Sequence, residues 1–356
     1  MKTKKAAKIK KWQLLRFKSK DAIVDLSEAE ALSIGRRAFS RKKTLQEITL
    51  PQELSTIKTE AFLGCKALTK VTLGRQNAVG ISQKAFWRCS ALRFVENSDM
   101  IFSVGAFAFA GCAALEKIDL GWENRRIGES AFLECHSLDR ILIPSSVDHI
   151  GKRAFASCAA LKQITTQTGL TSLSPELFRG CRKLSKVELS QTLSSISAGA
   201  FRECSSLQEI QVPGSVKSIE KKAFLNCTSL EQVELSLGIE RIGARAFAGC
   251  SKLANVTLPR TIKRLGFAAF GLGKKQEKIL LTVENEYMLR RIKRLLWLCG
   301  SHGRAEVALI GKTLEERKRE RRRATVEKTP VHLIDPNYEF EQKTEGYPVD
   351  QSADQQ

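Results

Sequence analysis

The sequence predicts a repeat solenoid: a stack of about eleven coils of 23 residues, built mostly from short parallel strands joined by turns or short helical corners. Two observations carry that expectation. Phenylalanine returns at Phe39, Phe62, Phe86, Phe109, Phe132, Phe155, Phe178, Phe201, Phe224, Phe247 and Phe270, each step 23 residues except one of 24 between Phe62 and Phe86. Around it returns the phrase A-F-x-x-C-x-x-L-x-x-[IV]-x-L. A unit of that size cannot bury its own apolar face, so neighbouring units must stack. Such a chain is first of all a long display surface, which directs the search for function towards partners and away from catalysis.

The elements follow in chain order. Residues 1–22 form a basic arm in which Trp12, Leu14, Leu15 and Phe17 sit among lysines. Two readings stand for it: a cap over the first coil, or a basic-aromatic arm for anionic lipid or nucleic acid. The solenoid is expected over residues 23–285. Val24 and Leu26 look like a bare first strand, because they precede Ile48 and Leu50 by 24 residues. Within each coil the I-x-L pair (Ile48/Leu50, Val71/Leu73, Ile118/Leu120, Val187/Leu189) has strand spacing, since alternate residues face one side of a pleat. Proline ends the strand at Pro51, Pro144, Pro213 and Pro259. A second apolar pair, such as Val147/Ile150, precedes the next phenylalanine, and glycine at 128, 151 and 243 supplies the bend after it. Stacked at about 4.8 Å per coil, eleven coils span roughly 50 Å. In the last coil, Gly273 replaces the cysteine and the pattern fades after Ile279, Leu281 and Val283. Residues 286–300 then read as a capping helix, with Met288, Leu289, Ile292, Leu295 and Leu296 on one face and Arg290, Lys293, Arg294 and Trp297 on another. Residues 301–356, basic and then acidic, are expected to be largely disordered.

The run L-x-x-I-x-L-P-x-x-[VL]-x-x-I-x-x-x-A-F-x-x-C, in phase over about residues 24–285, resembles the BspA-like, or treponemal-type, leucine-rich repeat. That resemblance implies a right-handed, curved leucine-rich-repeat stack used for protein–protein contact. It also implies a setting in attachment or host interaction, because such proteins are often surface-displayed in host-associated bacteria.

Charge and cysteine usage bear on the compartment. The net charge is +21 and uneven: residues 1–20 carry +9, residues 286–328 carry +7 and residues 329–356 carry −5. The first twenty residues start like a signal peptide but lack its apolar stretch, since Lys10, Lys11, Arg16 and Lys18 interrupt it. No stretch approaches the roughly 18 apolar residues of a membrane span. Nine of the ten cysteines occupy one repeat position, from Cys65 to Cys250. A single file of thiols cannot surround a tetrahedral metal, and a rung spacing is slightly too long for a disulfide. Buried, reduced cysteines acting as small hydrophobes are expected, in a reducing compartment. A cytoplasmic location is therefore favoured over surface display by a non-classical route. On that reading Cys158→Ser costs about 1–3 kcal/mol if the hydroxyl finds no partner, and alanine somewhat less. Cys299, outside the file, is the expected fast-reacting thiol.

No catalytic constellation is visible. The four histidines are scattered, the glycines follow the repeat phase, and Glu315/Glu316 lie in a charge run. No enzyme activity, cofactor or metal is expected. The partner is expected to be another protein, of unknown identity, held on the outward positions of the I-x-L strands. The candidates there are Phe94, Glu96, Lys117, Asp119, Arg140, Leu142, Lys186 and Glu188, chosen because interfaces favour aromatic and arginine anchors beside apolar neighbours. Leu280 and Lys278 are assigned to the same face, Leu280 to the row of Glu96 and Asp119. The alternative function is binding of nucleic acid or an anionic membrane through Lys4, Lys5, Lys8, Lys10, Lys11, Arg321, Arg322 and Arg323. Asn97 and Thr166 stand where buried Leu or Ile belongs, read either as an insertion that shapes a contact surface or, preferably, as tolerated drift.

Overall fold

The computed structural model describes residues 21–166, 169–271, 279–298 and 305–309, and these form a β-solenoid of about twelve turns with a 23-residue repeat. Each I-x-L segment lies on a first sheet, whose strands include Glu47–Thr49, Lys70–Thr72, Phe94–Glu96, Arg140–Ile143 and Gln163–Thr166. The pair before each phenylalanine lies on a second sheet, in strands as short as Thr56–Ile57, His149–Ile150 and Arg241–Ile242. All pairings between successive coils are parallel, and a step of one period lays like on like: Val24 on Ile48 on Val71 on Val95, and Ile141 on Ile164 on Val187. The extra residue of the single 24-residue step falls between Thr72 and Val79. Lys70 still pairs with Glu47 at a 23-residue offset, whereas Gly80 pairs with Thr56 at 24.

The core is a column. Eleven phenylalanines form ten consecutive stacked pairs, with ring centroids 4.9–5.7 Å apart and planes within 20°. Centroid distances slightly longer than a strand spacing give offset stacking, the favoured arrangement for parallel rings. The corner that carries each ring is a turn, with no helix in it. Residues two before and two after the phenylalanine take a left-handed conformation, for example Arg153 (φ 58°) and Ser157 (φ 61°) around Phe155. This alternation aims every second N–H at the next coil, as Phe155 N–H donates to the Leu177 carbonyl at 3.1 Å. The intervening N–H groups close tight turns, as Ala156 donates to the Arg153 carbonyl at 3.0 Å. The buried corner backbone is thus paired without secondary structure of its own.

Nine cysteines run beside the rings, each at most 2% exposed. Each thiol donates to the carbonyl of the phenylalanine one coil earlier, at 2.9–3.2 Å. In the coil of Phe39, Lys42 stands at the cysteine position. Cysteine is therefore a small hydrophobe with a weak donor that the fold uses. Burial raises the Cys158 thiol to about 12 and pushes Cys112 and Cys204 up as well.

Two outcomes follow. Intact protein at pH 8 should react with a bulky thiol reagent at Cys65–Cys250 only as fast as it opens, as read by mass spectrometry of the labelled chain. Because Phe132 supplies an acceptor, serine at 158 keeps a donor and should cost about 1 kcal/mol in a urea melt. Alanine loses the bond and leaves a void, and should cost about 1–2 kcal/mol. The order expected for a partnerless hydroxyl is thus reversed. Cys299 lies outside the described residues.

The C-terminal end departs from the sequence expectation in two ways. Strand Ile279–Val283 pairs Leu281 with Val256 and Leu280 with Asn255, so Leu280 stands in the row of Phe94 and Arg140, and Thr282 takes the place assigned to it. The pattern is shifted by two residues because the last coil spends its extra length before the strand. Lys278 lies outside the described residues. Beyond the helix Glu286–Leu298, residues Ala305–Leu309 form a further parallel strand on Ile279–Val283, within the segment expected to be largely disordered. Adjacent parallel strands need a crossover, and the helix provides it. Asn285 caps that helix by accepting the Met288 N–H at 3.0 Å. Met288, Leu289, Ile292 and Leu296 bury its inner face against the end of the stack, while Tyr287, Arg290, Lys293, Arg294 and Trp297 face outward. Among the described residues no helix is long and apolar enough to cross a membrane.

Candidate protein-binding face

Strand alternation decides what the first sheet displays. With Val95, Ile118, Ile141 and Val187 turned inward, Phe94, Glu96, Lys117, Asp119, Arg140, Leu142, Lys186 and Glu188 are all exposed on one face. Most of the charge there is already compensated. Lys70 Nζ lies 2.8 Å from Glu96 Oε1, Lys117 Nζ 2.7 Å from Asp119 Oδ2, and Lys186 Nζ 2.8 Å from Glu188 Oε1. The bond from Lys186 holds the Glu188 carboxyl below its usual range and raises the lysine in turn. Exposed pairs of this kind contribute little to stability, but they leave a nearly neutral surface. Three side chains stand out from it. Phe94 is 41% exposed with the Arg93 guanidinium 5.2 Å from its ring centroid, Leu142 is 48% exposed, and Arg140 reaches Asp139 only at 3.8 Å.

The sheet is interrupted beside Phe94. Its strand ends at Glu96, Asn97 adopts a left-handed conformation (φ 58°), and a 3₁₀ turn, Ser98–Met100, leads the chain away. On the next coil only Lys117 keeps a bridge, to Phe94 on one side and Arg140 on the other. Side chains replace the missing ladder bonds: Asn97 Nδ2 donates to the Leu73 carbonyl at 2.7 Å, and the Asp119 N–H donates to Ser98 Oγ at 3.0 Å. Arg75 Nε fixes the other end of the Asn97 amide at 3.0 Å. The result is a groove of about 660 Å³ lined by Arg75, Phe94, Glu96, Asn97, Ser98, Asp99, Lys117 and Asp119. Asn97 thus stands at the break in the ladder and on the wall of the groove. Thr166, by contrast, is a buried polar group with both its bonds made, to the Glu188 carbonyl at 3.2 Å and from the Ser190 N–H at 2.9 Å.

The structure brings Phe94, Glu96, Lys117 and Asp119 together in this groove, with Arg140 and Leu142 on the following rung. Lys186 and Glu188 belong to a second depression of about 390 Å³, with Glu209, Gln211, Pro213 and Glu234. Arg75 and Asp99 join the groove although the repeat places them in a connecting loop. The one-residue excess before Val79 was the available signal. Lys4, Lys5, Lys8, Lys10, Lys11, Arg321, Arg322 and Arg323 lie outside the described residues. His136 bonds the Ser157 carbonyl at 3.0 Å on a corner, and His149 lies on the second sheet. Among the described residues no His, Cys, Asp and Glu side chains gather as a metal site.

With the repeat, the ring column and the two sheets established, the chain matches the BspA type leucine rich repeat region in six copies, over residues 32–162 and 148–277. The chain belongs to that family. Among solved structures it is similar to a leucine rich cell surface protein from Faecalibacterium prausnitzii, at 20% identity and a TM-score of 0.51, over 86% of this chain and 92% of the other. At that identity the likeness is one of fold. A leucine-rich repeat protein from Bacteroides ovatus is 25% identical over 68% of this chain and 80% of its own, with a TM-score of 0.39. The leucine rich repeat protein of T. pallidum is 26% identical over 65% and 85%, with a TM-score of 0.33. No curated protein sequence matches the chain.

Proposed function

We propose that this BspA-type repeat protein is a non-catalytic scaffold that binds another protein on its first sheet, with the contact centred on the Phe94 groove. The observation that carries the reading is the break at Asn97. On a face otherwise neutralised by its own ion pairs, it opens a groove walled by an aromatic ring and followed by Arg140 and Leu142. Aromatic and arginine anchors beside an exposed aliphatic residue are the composition of an interface centre. The compensated charges around them would serve register and partner choice more than affinity. The buried thiol file supports work in a reducing compartment, in keeping with a cytoplasmic location. A role in attachment to a host would instead place the scaffold outside the cell, and disulfides joining successive rungs, read by non-reducing mass spectrometry, would overturn the reducing-compartment reading.

The test is affinity capture from the native cell with the intact chain and with Phe94→Ala combined with Arg140→Glu. Loss of an interface hot spot typically exceeds 2 kcal/mol, so the variant should retain only a few per cent of the captured partner. Equal capture by both proteins removes this patch as the contact.

A further inference from the structure

A second groove, on the phenylalanine corner of the first three coils, has the opposite character from the sheet face. It encloses about 670 Å³ and is lined by Arg41, Lys43, Leu63, Gly64, Lys66, Ala67, Trp87 and Arg88. Lys84 Nζ lies 4.9 Å and the Arg88 guanidinium carbon 4.8 Å from the Trp87 ring centroid. Arg41, Lys43, Lys66, Lys84 and Arg88 make no ion pair among the described residues, and the nearby Glu60 is held by Arg37 Nε at 2.5 Å. The lining contains no carboxylate. Gly64, in a left-handed conformation (φ 68°), stands between Arg41 and Arg88 in the same row of successive corners, and its missing side chain keeps the floor open. In the later coils that row holds Gly111, Glu134, Ser157, Gly180, Glu203, Asn226 and Gly249, so the concentration of cations is local to this end of the corner.

Four cations without an ion pair, Arg41, Lys43, Lys66 and Arg88, within two coil steps, roughly 10 Å, call for a ligand with closely spaced negative charges. The apolar floor of Leu63, Ala67 and Trp87 calls for the same ligand to carry flat apolar groups. The indole is half-buried with Lys84 and Arg88 within 5 Å of its ring centroid, which suits a recess and not insertion into a lipid surface. A single-stranded nucleic acid supplies both features on every unit, a phosphate and a base with a π-face. We propose that this corner groove binds a short single-stranded stretch of nucleic acid, with Arg41, Lys43, Lys66 and Arg88 on the phosphates and one base against Trp87. The site is separate from the sheet face and does not depend on a protein partner there.

Fluorescence anisotropy of labelled oligo(dT) and oligo(U) with the full chain tests it, across a salt series. Trp87→Ala should weaken binding roughly tenfold or more, and Trp87→Phe should recover most of the loss. Arg41→Glu with Lys66→Glu should weaken it further and make the slope of log K against log salt shallower by about 1.4, the contribution of two phosphate contacts. A matched double reversal, Lys217→Glu with Lys263→Glu, distant along the stack, should change affinity less than twofold. Changes below twofold for all the groove variants would overturn the site, and would leave any observed binding to the basic termini. Tighter binding of a polysulfated glycan, an acidic peptide or anionic vesicles than of the oligonucleotides would overturn the ligand class.

Discussion

Phe155→Ala is expected to cost about 3–5 kcal/mol, the largest single loss available in the stack. The ring is fully buried and stacks on Phe132 at 5.3 Å and Phe178 at 5.7 Å, so truncation opens a void that rigid coils above and below cannot close. Stability in a solenoid is close to a sum of units and nearest-neighbour interfaces, and this ring belongs to two such interfaces. Urea denaturation followed by far-UV circular dichroism reads the loss as a lower midpoint. It should also read a broader transition, because a weak middle coil uncouples the two halves. An unchanged midpoint would show that the ring column does not carry the stability of the stack.

Ile292→Asp is the second large effect. Ile292 is 0% exposed on the inner face of the terminal helix, over a coil that would otherwise end in open apolar surface. An aspartate there must either stay buried without a partner or lift the helix, and a cost above about 3 kcal/mol is expected. Lifting the helix also strands Ala305–Leu309, whose position beside Ile279–Val283 depends on the crossover. Size-exclusion chromatography with light scattering should show the variant shifting to oligomers through the exposed end. A monomer with an unchanged melt would mean that the helix is not the cap. Arg290→Ala, on the outward face, should leave both readings unchanged.

The fold was largely legible because its information is periodic. A fixed step sets which residues share a row, and the register of Val24, Ile48 and Val71 or of Ile141, Ile164 and Val187 follows from counting. The role of the cysteines was half legible. Their position announced burial, but the bond to the preceding phenylalanine carbonyl depends on a corner whose alternating conformations no composition reveals. The misreadings sit where the period fails. Leu280 was placed by counting through a coil of altered length, and Ala305–Leu309 was passed over because a helix of unlike period separates it from the repeats. Its alternation of Ala305, Val307 and Leu309 was nevertheless a strand signal.

At the candidate site, alternation was enough to place the eight sheet-face residues outward, since that is a property of any strand. What could not be read was their pairing. Lys117 with Asp119 and Lys186 with Glu188 lie two residues apart on one face of the stack, a geometry that turns a mixed-sign surface into a neutral one. The groove itself arises from a left-handed asparagine, and a sequence shows the asparagine but not the turn it takes.

The central claim, that the first sheet is the contact surface, is tested most directly by a photo-crosslinking amino acid placed singly at 117, 140 and 221 in the native cell. Positions 117 and 140 lie in or beside the groove, and 221 lies on the corner. One protein adduct of the same mass from 117 and 140, with little or none from 221, is the predicted result. Adducts in equal yield from all three positions, or from 221 alone, would contradict it.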